Sequence, residues 1–331
     1  MIRFGLLGCG RIGQVHAESL SRETRARLVA VADAVPAAAA ALADMHGAEV
    51  RPADALIASG DIDAVIIGTP TTLHYDQIHA AAAAGKAIFC EKPIDLSSAR
   101  VRACLKAVEA SGVPFLTAFN RRFDPSFAAL EQRLRAGEIG RVELIQLTSR
   151  DPAPPPIGYI KTSGGLFRDM MIHDLDMARF LLGEEPTQVF ATGACLVDPE
   201  IGRAGDVDTA AVTLSTASGA ICQISNSRRA VYGYDQRIEV HGAAGMLSAA
   251  NVPATTVEQA GPAGFTRAPN MHFFLERYEA AYRLELAHFV DALSTGAAPS
   301  PNAEDGLRAQ ILADAAAQSM AEGRPIPVDP E

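Results

Sequence analysis

The chain has 331 residues, 48% of them apolar, and a net charge of −10. That length exceeds the usual single-core size, so two domains, or one with a large insertion, are expected. The acidic balance argues against nucleic acid or an anionic membrane as a main partner, and no run approaches the roughly 18 unbroken apolar residues of a membrane span. The start lacks the charged region and cleavage site of a signal peptide, so the expected setting is cytoplasmic. Five scattered cysteines (Cys9, Cys90, Cys104, Cys195 and Cys222) show no Cys-x-x-Cys spacing and no nearby histidine, so no metal site is expected and the odd count fits a reducing compartment.

An apolar run over 2–7 predicts a strand that ends in Gly8-Cys9-Gly10-Arg11-Ile12-Gly13, with a helical pattern following. Glycines between strand and helix allow a tight turn, close approach of backbone N–H groups to a pyrophosphate, and close helix–sheet contact. Gly8, Gly10, Arg11, Ile12 and Gly13 are therefore candidate cofactor contacts. A second run over 28–32 ends in Asp33, twenty residues past Gly13. A carboxylate there accepts hydrogen bonds from the adenosine-ribose hydroxyls and repels a 2′-phosphate, and no cation follows at once, so NAD is expected rather than NADP. The plainer alternative for Asp33 is a turn residue closing a strand.

The alternation continues with a helix over 36–45, a short segment at 54–59, a strand over 64–67, a helix over 74–84, a strand over 87–90, a helix over 97–110 and a strand over 114–118. Continuous apolar strands alternating with helices describe a parallel sheet covered on both faces, which binds ligands at the carboxyl ends of its strands. Thr69, Pro70, His74, Glu91, Lys92 and Asn120 lie at or just beyond those ends and are added as candidate cofactor contacts. In Glu91-Lys92-Pro93, a lysine directly after a buried strand places a fixed positive charge beside a reacting carbon; a surface lysine in a turn is the alternative.

After residue 121 the character changes. A helix over 126–136 and a strand over 142–148 precede a proline cluster at 152–156, an ordered but irregular loop carrying Arg150, Asp151, Tyr159 and Lys161, any of which can meet a polar ligand. Over 164–180 two glycines give way to a helical pattern with Met171, Leu175, Ala178 and Leu182 on one stripe. Asp169 and His173, four apart, are expected on another stripe of that helix, facing one space as a proton-transfer pair; a surface ion pair is the alternative. Strands over 188–196, 207–215, 220–226, 236–240 and 246–250 read as an antiparallel sheet with one face against helices. Alternation through Val212, Leu214, Ile221 and Ile224 predicts that the other face is covered by subunit pairing. Tyr232 and Tyr234 flank a glycine in a candidate pocket loop, with core or interface tyrosines as the rival. Helices over 273–294 and 304–320 complete the chain, and His272 and His288 read as structural.

Taken together, Gly8–Gly13, Glu91-Lys92-Pro93, Asn120-Arg121-Arg122-Phe123 and Gly164-Gly165…Asp169…His173-Asp174 resemble the glucose–fructose oxidoreductase / inositol dehydrogenase (Gfo/Idh/MocA) family of nicotinamide-dependent dehydrogenases, with likeness to bacterial inositol 2-dehydrogenases over 119–127 and 149–180. The resemblance spans essentially the whole chain. It implies an α/β Rossmann domain over 1–120 and, over 121–331, an α/β domain with an open, mainly antiparallel sheet, the helix over 304–320 packing back toward the first. It also implies that Lys92, Asp169 and His173 form the catalytic set, that Lys92–Pro93 is a cis peptide, and that the protein assembles as a dimer or tetramer.

The expected activity is NAD-dependent oxidation of a ring secondary alcohol, myo-inositol or scyllo-inositol, to the inosose. His173 would accept the proton, Lys92 would stabilise alkoxide charge, and Asp169 would bond the reacting or adjacent hydroxyl. Asn120, Asp151 and Tyr234 are further candidate substrate contacts. Rival readings are an aldose or other sugar dehydrogenase of the same family, a non-catalytic NAD-binding sugar-sensing regulator, and a metal-dependent hydrolase built on Asp169, His173 and Asp176.

Overall fold

The computed structural model describes residues 1–329, which form two units. The first unit opens with β1 (Ile2–Leu7), α1 (Arg11–Ser21), β2 (Ala26–Ala32), α2 (Pro36–His46), β3 (Glu49–Val50), α3 (Ala53–Ala58), β4 (Ala64–Ile67), α4 (His74–Ala83), β5 (Ala87–Cys90), α5 (Ser98–Ser111) and β6 (Phe115–Thr117). Its six strands, in the order β3-β2-β1-β4-β5-β6, are all parallel. Short apolar strands cannot pair in parallel without crossover helices, and here those helices supply the two covering layers. The strand order reverses between β1 and β4, which is where such sheets open a crevice for a dinucleotide.

The second unit begins at Asp124. It contains α6 (Pro125–Arg135), β7 (Val142–Arg150), α7 (Ile157–Ser163), α8 (Gly165–Asp169), α9 (Ile172–Leu182), β8 (Pro186–Ala194), α10 (Pro199–Arg203), β9 (Thr209–Thr216), β10 (Ile221–Ser227), β11 (Asp235–Gly242), β12 (Gly245–Ala249), the hairpin β13 (Glu258–Gly261) and β14 (Gly264–Arg267), and α11 (Phe274–Arg277). Then come α12 (Glu279–Thr295), α13 (Ala303–Glu322) and β15 (Ile326–Pro327). The second sheet runs β12-β11-β7-β10-β9-β8-β15 and is antiparallel throughout except for the β7–β10 pair. Asp124 starts α6 by accepting the Ser126 and Phe127 N–H groups at 3.1 and 3.2 Å, and its carboxylate pairs with the buried Arg277.

The chain crosses between units more often than the sequence reading allows. Residues 280–310 belong to the first unit, and the boundary falls inside α13, whose remainder belongs to the second. The reason is aromatic packing. Phe289 of α12, fully buried, lies 6.2 Å from the ring of Phe4 and 5.7 Å from that of Phe89, so α12 closes one face of the parallel sheet. Burial of each such ring is worth about 1.5–3 kcal/mol.

Four further differences concern local pattern. The predicted helix over 273–294 is two helices broken at Tyr278, and the β13–β14 hairpin occupies a stretch in which no element was expected. Part of the expected loop after the proline cluster is the helix α7. Of the four residues expected to leave an apolar open face, Val212, Leu214 and Ile224 point inward and are buried, and only Ile221 is exposed. Its face also carries Thr213, Gln223, Gln146 and Glu239 in one cross-strand row.

Candidate active site

In the first unit the Gly8–Gly13 turn is built by close approach. The Gly8 N–H donates to the Ala32 carbonyl and the Gly68 N–H to the Leu7 carbonyl, each at 2.8 Å, tying the ends of β1, β2 and β4 together. A methyl group on Gly13 would lie 2.0 Å from the Gly8 carbonyl oxygen, and one on Gly8 would meet the Gly68 carbonyl oxygen at 2.5 Å. Only glycine satisfies both places. At Gly10, by contrast, the space is open, and no side chain caps the start of α1. The residues thus leave a backbone cradle at a helix N-terminus, where a pyrophosphate is stabilised by N–H groups and the helix dipole.

Asp33, half-buried after β2, accepts the Cys9 N–H at 2.6 Å and the Val35 N–H at 2.7 Å. The carboxylate is thereby fixed against the glycine turn, with lone pairs left for two vicinal hydroxyls. Burial, and then the Asp33 charge, push the Cys9 thiol up to about 11, so that cysteine is an inert neighbour. Cradle and carboxylate together fit NAD. Arg11 and Pro70 are exposed beside the turn and Ile12 is half-buried.

Beyond β5, Lys92 is half-buried and its bond to Pro93 is cis. Two predicted cofactor contacts next to it are otherwise engaged. The Glu91 carboxylate takes a 2.7 Å bond from Nε2 of the fully buried His16 and a 3.3 Å bond from the Lys92 N–H. His74 is 1% exposed, with Nδ1 3.0 Å from the Pro93 carbonyl and Nε2 2.9 Å from the Thr69 carbonyl. It is a bridge between two strand ends, because its position on the inner face of α4 turns the ring away from solvent. Burial pushes its pKa below the ordinary imidazole value, against the opposing pull of the two carbonyls. The Thr69 hydroxyl bonds Gln77 at 2.6 Å, and Asn120 is buried in the single 3₁₀ turn after β6.

In the second unit the 164–180 stretch is not one helix. α8 ends at Asp169 and α9 starts at Ile172, with the Met171 N–H reaching back five residues to Leu166 at 2.9 Å. That wide turn changes the phase between Asp169 and His173, so the four-residue helical argument does not hold for them. Gly165 opens α8 at φ +81°, where a methyl group would lie 2.7 Å from an Asp206 carboxylate oxygen.

Asp169 is held at both oxygens. Tyr159 of α7 donates to Oδ1 at 2.7 Å, and the Arg228 guanidinium, 1% exposed, donates to Oδ2 at 3.2 and 3.3 Å. Arg228 also faces Asp206 at 3.7 Å. His173 lies half-buried in the first turn of α9, next to Asp174. The buried Asp174 carboxylate accepts the Ser149 hydroxyl at 2.5 Å and the Asn226 amide at 3.0 Å, fastening α9 to β7 and β10. Asp151 is half-buried and extends the strand pairing through its N–H to the Ser227 carbonyl.

Tyr234, a predicted substrate contact, is among the buried tyrosines of the second unit. It is 6% exposed, its ring set edge-on to Tyr278 at 6.0 Å, so it belongs to the core. The neighbouring Tyr232 is the exposed one and bonds Asp235. Arg228 and His16 were missed as site residues, since a buried cation and a lone helical histidine carry no spacing signal toward Asp169 or Glu91.

Known proteins share the fold of both units. Residues 2–119 match the model of an oxidoreductase family with an NAD-binding Rossmann fold, and residues 127–248 match that of the GFO/IDH/MocA C-terminal domain. The chain is 57% identical to an inositol 2-dehydrogenase of Rhizobium meliloti, with 99% of both chains covered, and 44% identical to a myo-inositol 2-dehydrogenase of Thermotoga maritima at the same coverage. Among solved structures it superposes on a myo-inositol dehydrogenase of Corynebacterium glutamicum with a TM-score of 0.95 at 44% identity, covering 100% of each chain. It also superposes on a scyllo-inositol dehydrogenase of Lactobacillus casei with bound NAD(H) and scyllo-inositol, with a TM-score of 0.92 at 31% identity and 99% of each chain covered. Sequence motifs, sheet order and these likenesses converge: the chain belongs to the GFO/IDH/MocA family of oxidoreductases with an NAD-binding Rossmann fold.

Proposed function

We propose that this protein oxidises a ring secondary alcohol of an inositol, myo-inositol foremost, to the inosose, with NAD⁺ as the oxidant. The observation that carries the reading is the 57% identity, over 99% of both chains, to an inositol 2-dehydrogenase, in a chain whose Asp169 carboxylate is held by Tyr159 and Arg228.

NAD⁺, when bound, would supply the acceptor for the hydride that leaves the carbinol carbon. Gly8, Gly10, Arg11, Ile12 and Gly13 would hold its pyrophosphate, and Asp33 its adenosine ribose. His173 takes the proton from the reacting hydroxyl, since an imidazole exchanges protons near neutral pH. Lys92 holds the reacting oxygen and stabilises the negative charge that develops on it. Asp169, oriented by Tyr159 and Arg228, still has lone pairs for the reacting or adjacent hydroxyl. Asn120 and Asp151 are proposed to bond further hydroxyls of the polyol.

Initial rates of NADH formation, followed by absorbance across a panel of inositols and aldoses, test this. Inositol-dependent reduction is expected; reduction with an aldose alone, or with none of the panel, overturns it. We also propose a homo-oligomer, a dimer or tetramer, paired through the open face of the second sheet. The exposed Phe190, Ile221 and Met246 on β8, β10 and β12 support it, and light scattering on the eluting protein checks it.

A further inference from the structure

Lys92 is flanked in sequence by two residues, each held by a buried histidine from a different helix. On one side, His16 of α1 is 0% exposed and bonds the Glu91 carboxylate at 2.7 Å. The other oxygen of that carboxylate accepts the Lys92 N–H, so the side chain of the preceding residue is tied both to a helix and to the lysine backbone. The His16 ring is wedged edge-on against Phe89 and Tyr282, at 4.9 and 6.0 Å, and its Nδ1 is buried without a partner.

On the other side, His74 of α4 stands between the Pro93 and Thr69 carbonyls, at 3.0 and 2.9 Å. It thereby joins the loop after β5 to the loop after β4. Proline at 93 offers no N–H, so its carbonyl is the backbone group by which that residue is fastened. Neither histidine is placed to touch a substrate, since both are sealed within the first unit.

We infer that His16 and His74 are positioning residues for the dehydrogenase reaction, holding the backbone on either side of Lys92 so that its ammonium is presented at a fixed place. The inference rests on the proposed role of Lys92. A backbone left free to shift by an ångström loses the orientation on which transfer depends, a loss on the order of a hundredfold in rate.

The test is a pair of double-mutant cycles on the full-length protein with NAD⁺ and myo-inositol, using His74→Phe and His16→Gln, each alone and with Lys92→Ala. The first substitution keeps an aromatic ring, somewhat larger than imidazole, and removes both nitrogens. Each histidine variant is expected to lower kcat by about ten- to a hundredfold with KM for NAD⁺ within about twofold. In the Lys92→Ala background, where residual turnover is read at raised enzyme concentration, the same change is expected to cost less than about twofold, because its effect runs through the lysine. His74→Gln, which restores one donor, is expected to recover part of the loss.

Unchanged kcat in both single variants overturns the inference, as does the same fold-loss in the Lys92→Ala background, which would mark a merely structural role. Lys92→Ala with wild-type turnover instead overturns the assignment of Lys92, and the positioning role with it. Running both histidines means that a folding failure in one variant leaves the other to decide.

Discussion

Arg228 and Asp169 form an ion pair at 3.2 Å in which the cation is almost wholly enclosed, its side chain 1% exposed, while the carboxylate retains 12%. The arginine backbone is anchored in turn by its N–H to the Asp208 carbonyl at 2.8 Å. A buried cation between Asp169 and Asp206 is expensive to uncouple. Arg228→Leu is expected to lower stability by about 3–5 kcal/mol, since it leaves two carboxylates facing each other without their cation. Turnover should fall as well, and Arg228→Lys should restore only part of both, because an ammonium lacks the forked donors. Thermal unfolding and NADH formation on the same samples check this.

His173→Ala is expected to cut kcat by about 10²–10⁴ while leaving NAD affinity unchanged. The separation is meaningful because His173 belongs to the second unit and the glycine turn to the first. Stopped-flow turnover alongside a fluorescence titration with NADH reads both quantities. Wild-type kcat would remove His173 from the proton transfer.

Asp33→Ala should narrow the preference for NAD over NADP, read as the ratio of kcat/KM for the two cofactors. It also strips the Cys9 and Val35 N–H groups of their acceptor. A loss of about 1–3 kcal/mol in stability is expected beside the change in preference. An unaltered cofactor ratio would confine Asp33 to closing the turn.

His288 has a pKa pushed below the ordinary imidazole range, first by burial, and its Nε2 accepts the Ser300 N–H at 3.2 Å, as a neutral ring can. A histidine held neutral when folded and free to take a proton when unfolded makes the unfolded state bind more protons. Stability is therefore full above the unfolded value, about 6.5, and is lost as pH falls below it toward the depressed folded value. The midpoint of thermal unfolding should drop between about pH 7.5 and pH 5.5, a window above the carboxylate titrations. His288→Phe should flatten that drop, and an identical slope in wild type and variant would count against it.

Much of the architecture was readable from apolar periodicity, because short buried strands and amphipathic helices repeat with different periods. The glycine turn and Asp33 were legible for a similar reason, as steric and electrostatic needs confine those places to few residue types. The 164–180 stretch reads as continuous because Met170 and Met171, at the C-terminal end of the five-residue backbone reach to Leu166, are both apolar and look like any helical interior. His74 sits where a ligand contact is expected along the chain, yet its ring bridges two backbone carbonyls, and direction at a single position leaves no trace in spacing. Arg228 as a partner of Asp169 and His16 as the partner of Glu91 were invisible on the same ground, lying 59 and 75 residues away in sequence.

The return of residues 280–310 to the first unit has a practical corollary for anyone dissecting the gene. A fragment cut after residue 120 to isolate the nucleotide module would strip Phe289 from Phe4 and Phe89, baring aromatic surface that the intact chain keeps dry. Such a piece should clump rather than behave as a tidy minimal binder. Grafting 280–310 back through a designed linker is the route to a well-behaved truncation.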